Sequence, residues 1–435
     1  MINSNIMQNP KRTVGSNSGK STWYDYYAGY SAQFVCETIS NSKLPIGASI
    51  MDPWNGSGTT SQIAEEMGYI AYGYDLNPVM IIVAKARRLD HSIKDSLLSV
   101  SKDILKKARR YKKSVGDAFD PLETWFNRDT VNRFRNIERG IQQLLINEIS
   151  GREYLKEINP DKISSLSAFY YVALFRTLRN FLNQYRCTNP TWIKVPRNAD
   201  NKAEVLIDEI YIFFQKTVID MTNVLNDNKD QYKFNTNPTG VLKVACSTSI
   251  PLPEKEIDMV ISSPPYCTRI DYAVSTLPEL ALMGYSITSD VQKIRSEMIG
   301  TTTIGKSILR IEKDWGSTCG EFLDQVRNHQ SKASESYYFK NYLQYFDGIH
   351  RSLKEIDRTL KDKGKCVLVI QDSYYKDIHI DLVNMYREMG NSLSWILEDK
   401  QDFPNKNSMS SINKNVEKYR KPTKAIESVL LFRKL

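Results

Sequence analysis

Two short stretches of the chain hold the residue types that could do chemistry. The first, Asp52-Pro53-Trp54-Asn55-Gly56-Ser57-Gly58-Thr59-Thr60, follows a brief apolar run, Ala48 to Met51. Glycines at 56 and 58 let the backbone pass close to a ligand without a Cβ clash. Asp75 ends the next apolar run, about twenty residues beyond the loop, where an acid can accept hydrogen bonds from both hydroxyls of a ribose. A glycine loop plus a downstream acid indicates a nucleoside cofactor. The full G-x-G-x-x-G is absent, and so is G-K-[ST], which disfavours a triphosphate clamp. A dinucleotide, or a strand-to-helix turn that holds nothing, stays open on this stretch alone. The second stretch, Ser263-Pro264-Pro265-Tyr266, directly follows the apolar run Ile257 to Ser262. By itself it reads as a rigid turn ending a buried strand.

The elements that must position these residues are legible in outline. Gln33 to Ser40 predicts a short helix. Strands are predicted at Ala48 to Met51 and Tyr69 to Tyr74, with helices from Thr59 to Met67 and from Pro78 to Arg88. Strand, loop, helix, strand, helix is the opening of a doubly wound α/β sheet. From about 91 to 235 helical periodicity dominates, as in Ile163 to Leu182 and Val205 to Leu225. Strand patterns return at Val241 to Ala245 and Ile257 to Ser262. A polar, glycine-dotted stretch then runs to about 335. Helices are predicted at Tyr342 to Leu360 and Ile378 to Met389, with strands at Lys365 to Ile370, Leu393 to Glu398 and Ser428 to Arg433. The expected organisation is a flexible tail over 1–22, a catalytic α/β domain from 23–90 and 241–435, and a helical insertion at 91–240.

The 435 residues allow one large core with an insertion, or two domains. A formal net charge of +9 favours a polyanionic partner. The positive charge is concentrated in Lys102 to Lys113, Arg176 to Arg197 and Lys400 to Lys424, each of which could equally be a solvated face. Six scattered cysteines form no C-x-x-C, and the four histidines do not cluster near them, so neither a zinc site nor a disulfide framework is expected. The N-terminus lacks an apolar signal core, and no stretch approaches a membrane span. A cytoplasmic protein with no membrane association is expected. Oligomeric state is not readable.

Asp52 to Thr60 resembles the D-P-F-x-G-S-G-T-T motif of the amino-methylating (N4-cytosine/N6-adenine) DNA methyltransferases, with Trp54 in place of phenylalanine. Ser263 to Tyr266 is similar to that family's [SDN]-P-P-[YFW] catalytic motif. The resemblance covers roughly 25–90 and 241–435. It implies a Rossmann-like seven-stranded sheet with helices on both faces, and S-adenosylmethionine as cofactor. Asp52, Pro53, Gly56, Gly58, Thr59 and Thr60 would wrap its methionine end, and Asp75 would hold its ribose. Tyr27, in a segment (27–34) more loosely similar to the family's N-terminal cofactor-binding part, would contribute too; a docking helix is the alternative. The third strand of relatives ends in Gly-Asp-Ser. Here Ala245-Cys246-Ser247 stands there, so the aspartate expected near the cofactor's adenine is missing and Ser247 is the replacement candidate.

The catalytic motif explains its own residue types. An exocyclic amino nitrogen is a poor nucleophile because its lone pair is delocalised into the ring. Acceptors on Pro264 and Ser263, held by the two prolines, would be aimed before the base arrives. Tyr266 offers a ring on which a flipped base stacks. The methyl group would pass in one in-line displacement, without a covalent enzyme intermediate. Cys267 suggests carbon-5 cytosine chemistry, but there the nucleophile directly follows a proline, and here Tyr266 intervenes.

In this family serine at the first motif position accompanies mainly N4-cytosine activity. The resemblance thus implies a site-specific DNA methyltransferase acting on cytosine N4 in double-stranded DNA. The setting would be restriction-modification, with a cognate restriction or defence partner. An N6-adenine enzyme, an RNA base methyltransferase and a non-catalytic DNA-binding subunit with a decayed fold are the alternatives. Phosphate contacts are expected from Lys106, Lys107, Arg109, Arg110, Arg176 and Arg179 in the insertion, from Arg269 beside the catalytic motif, and from Lys418 and Arg420 in the last basic loop. No metal is expected.

Overall fold

The computed structural model describes residues 8–11, 19–26, 29–111, 119–146, 154–187, 192–198, 201–227, 240–267, 271–305, 309–405 and 425–435. Tyr27, Arg269, Lys418 and Arg420 lie outside them.

Helix α1 (Ala32–Ser42) begins under Ser31, whose hydroxyl accepts from the Phe34 amide. Then come β1 (Ser49–Asp52), α2 (Thr59–Glu66), β2 (Ile70–Asp75) and α3 (Pro78–Arg87). Asn77 caps α3 by accepting from Val79 N at 3.1 Å, and Pro78 supplies a preset first turn. The helical block follows: α4 (Lys94–Ala108), α5 (Arg128–Leu145), α6 (Ser165–Asn180) and α7 (Ile207–Asp227). Next come β3 (Val241–Val244), β4 (Ile257–Ser262), α8 (Tyr272–Ser275), α9 (Leu277–Leu282), α10 (Asp290–Glu297) and α11 (Ser317–Asn328). The chain ends with α12 (Lys340–Thr359), β5 (Leu360–Gln371), β6 (Ser373–Tyr375), β7 (Ile378–Ile380), α13 (Leu382–Ser392), β8 (Trp395–Asn405) and β9 (Ala425–Lys434).

Seven strands form one sheet in the order β3-β2-β1-β4-β5-β9-β8. The first five are parallel, and β9 runs antiparallel between β5 and β8. This is the Rossmann-like α/β methyltransferase sheet expected from the sequence. Strand order reverses between β1 and β4, so their carboxyl ends open the crevice where such sheets bind ligands. The two ends are joined: the Ser262 hydroxyl donates to Asp52, and the Ser49 hydroxyl, at the other end of β1, donates to Asp258 at 2.8 Å.

Every residue of α3 is buried, because the sheet covers one side and the helical block the other. The block shares one apolar core with α3 and with residues 273–291. Buried Arg135 fastens α5 to the end of α9. Its guanidinium meets Asp120 at 2.8 Å and Glu138 at 2.6 Å, and donates to the carbonyls of Ala281 and Leu282. Removing one member of such a network strands the rest and costs about 3–5 kcal/mol.

Three expectations change. Residues 19–22, expected in the tail, join a 3-10 turn whose buried Lys20 donates to Leu89 O at 2.7 Å. Residues 378–380, expected at the start of a helix, pair with 373–375 as a hairpin, because Ile378 and Ile380 alternate about an exposed His379. The stretch from 268 to 335 holds α8, α9, α10 and α11 among its described residues. Their apolar faces are too short to stand out as periodicity. No described helix is long and apolar enough to cross a membrane.

Candidate active site

The two motifs meet in one cavity. Asp52 to Ser57, Thr59, Asp75, Ala245 to Ser247 and the whole of Ser263 to Tyr266 line it. Tyr26, Tyr30, Asn77, Tyr272 and Glu297 to Ile299 complete the walls.

Backbone geometry explains the glycines. Gly56 has φ +47°, and a Cβ there would sit 2.9 Å from the Tyr26 ring. Gly58 has φ +85°, and its Cβ would sit 2.7 Å from the Ala84 Cβ. Gly56 therefore shapes the cavity wall. Gly58 lets α2 pack against α3, and it does not line the cavity. Thr60 is also behind the wall, with its hydroxyl on Tyr30 and on Ile261 O.

Asp75 terminates β2 and accepts one backbone N–H on each oxygen, from Gly56 and from Asn77, both at 2.8 Å. Burial pushes its carboxyl up to about 6, against the lowering effect of those two amides. Asp52 is wholly buried and its carboxylate is committed. It accepts from Ser262, from Tyr30 Oη at 3.0 Å and from Trp54 N at 3.1 Å. Its role here is to hold the end of β1 against β4. Tyr30, which the sequence placed in the 27–34 segment without a role of its own, is the hub of that contact. Ser247 lines the cavity, but its hydroxyl is 2.8 Å from that of Ser352 on α12. Cys246 occupies the place of the missing aspartate and also lines the cavity.

The Ser263–Tyr266 turn is held from three directions. The Tyr345 hydroxyl donates to Pro265 O at 2.9 Å, and the Ser373 hydroxyl donates to Cys267 O at 3.2 Å. The Tyr266 hydroxyl donates to Glu427 on β9 at 3.3 Å and also receives the Ser263 side chain. Glu427 is buried, and burial raises its carboxyl. No sequence signal marks Glu427 or Tyr345, since each acts on residues far away in the chain. Cys267 is buried beside Cys319, and burial drives its thiol well up, away from the thiolate a nucleophile needs.

The expected phosphate-binding cations separate into groups. Arg176 is half-buried and lines a second cleft, which shares Tyr26 and Tyr272 with the first cavity. Arg179 reaches that cleft with its guanidinium already clasped by Glu279, 2.6 Å from Nη2 to Oε2. Lys106, Lys107, Arg109 and Arg110 sit at the end of α4 and line neither space; Arg109 lies over the Tyr211 ring, 5.4 Å from its centroid.

The family described as "DNA methylase", of the N6/N4 type, matches residues 257–435. The Type II methyltransferase M.BsoBI of Geobacillus stearothermophilus is 24% identical over 314 residues, covering 69% of this chain and 60% of that protein. M.AvaI of Anabaena variabilis is 23% identical over 406 residues, 86% of this chain and 80% of its own length. M.MvaI of Kocuria varians is 22% identical over 352 residues, covering 76% and 71%. The chain thus spans less than two thirds of the first of these relatives and more of the other two. Over residues 257–435 the chain is thus similar to the N6/N4 DNA methylases, and over most of its length, at 22–24% identity, to Type II methyltransferases.

Proposed function

We propose that this protein transfers a methyl group from S-adenosylmethionine to the exocyclic N4 of cytosine in double-stranded DNA, as the modifying half of a restriction-modification pair. The observation that carries the reading is the single cavity between the β1 loop and the Ser263–Tyr266 turn. When bound, the cofactor supplies an electrophilic methyl group. The residues present fit it. Gly56 keeps the wall open, and each Asp75 oxygen retains a lone pair after its one backbone contact, enough for two ribose hydroxyls. Ser263 and Pro264 line the cavity and can offer acceptors to an amino group, and Tyr345 anchors the neighbouring Pro265 carbonyl so that the turn is already set. Tyr266 provides the stacking ring. Serine at position 263 supports cytosine over adenine. The relatives' Type II names support the restriction-modification setting.

Labelled S-adenosylmethionine with plasmid DNA and, separately, RNA tests this, with the modified nucleoside identified by mass. N4-methylcytosine in DNA is expected. Label in N6-methyladenine overturns the cytosine assignment, and label confined to RNA overturns the DNA assignment. No label together with no cofactor binding leaves a decayed, non-catalytic fold.

A further inference from the structure

The second cleft lies between the helical block and the α8–α9 segment. It holds about 630 Å³, within the range of about 300–1,000 Å³ usual for small-molecule sites. It opens beside the candidate active site, since Tyr26 and Tyr272 form walls of both. Its chemistry is mixed. Arg176 and Arg186 bring positive charge, but Asp25 and Asp220 lie in the same lining and offset it. Arg179 is already neutralised by Glu279. A pure phosphate clamp would not carry those acids. What distinguishes the cleft is a pair of carboxamides, Asn180 and Asn183, and an indole, Trp192, that stays 51% exposed. Carboxamides present a donor and an acceptor side by side, the pattern that matches a base edge. An indole face left in water gains by stacking on a base. Arg186, exposed at the rim, suits one phosphate.

We infer that this cleft binds the substrate strand next to the methylated nucleotide. One flanking base stacks on Trp192 with its edge toward Asn180 and Asn183, and Arg186 meets the adjoining phosphate. The inference rests on the DNA-methylating reading above and adds a site to it. It also moves the expected DNA contacts from the end of α4 to the mouth of this cleft.

The test is steady-state methyl transfer to plasmid DNA by the full chain and by Trp192→Ala, Trp192→Phe, Asn183→Ala and Arg186→Ala, with cofactor affinity measured separately by calorimetry. KM for DNA should rise on the order of tenfold in Trp192→Ala, as loss of one stacked base implies. It should stay near wild type in Trp192→Phe, and cofactor affinity and the melting midpoint should not move. Arg186→Ala should weaken DNA binding and flatten its salt dependence, by a slope change of about one. A wild-type enzyme that methylates DNA, with all four variants keeping the wild-type KM, overturns the cleft and leaves the activity standing. A wild-type protein that methylates no DNA overturns the activity reading, and the cleft with it.

Discussion

The Tyr266 hydroxyl donates to buried Glu427, a residue 161 positions further along the chain and on a strand that runs against its neighbours. The Ser263–Tyr266 turn is thereby tied to β9 as well as to its own strand. Removing the acceptor should free the ring. Glu427→Ala is expected to lower kcat for methyl transfer about tenfold, the scale of one hydrogen bond to a charged group. KM for DNA should change little, and Glu427→Gln, which keeps an acceptor, should restore most of the rate. Equal losses in the two variants would show that Glu427 acts through packing alone.

If Asp75 holds the ribose as proposed, cofactor binding should be pH-dependent. Its carboxyl is pushed up to about 6 by burial, and the ionised form has the acceptors a ribose needs. As pH falls through about 6 the proton competes with the ligand, so affinity should fall below that pH and level off above it. Calorimetry at pH 5 to 8 reads the curve directly. Asp75→Asn should bind weakly at every pH and lose the inflection. An inflection that survives the substitution would assign it to another group.

Cys267 is dispensable for the chemistry proposed. Its thiol is held protonated by burial. Cys267→Ser should retain methyl transfer, and the wild type should form no covalent adduct with 5-fluorocytosine DNA on a denaturing gel. A trapped adduct would mean carbon-5 chemistry.

Gly58→Ala should weaken the fold more than the site. A left-handed φ and a Cβ 2.7 Å from that of Ala84 combine strain with overpacking, worth about 1–3 kcal/mol. The urea midpoint should drop. Gly56→Ala should instead spare the midpoint more and weaken cofactor binding, because its Cβ meets the ring of Tyr26 at the cavity wall.

Local signals made the first half of the sheet readable. An apolar run, a glycine loop and a capping Asn77-Pro78 fix β1, α2, β2 and α3 to within a residue or two. Ser263 to Tyr266 announced itself through its prolines. What stayed hidden is what depends on distant partners. Tyr30 lay in the loosely similar 27–34 segment, but its own task emerged only when the fold brought Asp52, Thr60 and Ile261 around its hydroxyl. Arg179 looked like a free cation because Glu279, which clasps it, is a hundred residues away. The hairpin at 373–380 was lost in a helical pattern because three-residue strands show too few alternations to count.

The encasement of α3 has a consequence for how this protein could change its target. The helix is covered on one side by the sheet and on the other by the helical block, and Asn77 at its start reaches across to Thr276 at 2.8 Å. The block is therefore no cassette. Exchanging it for a foreign one would strip an apolar helix that begins three residues after Asp75. If the block reads the target as proposed, a change of specificity would have to come by single substitutions on its outer lip, where a side chain can change without uncovering the scaffold beneath it.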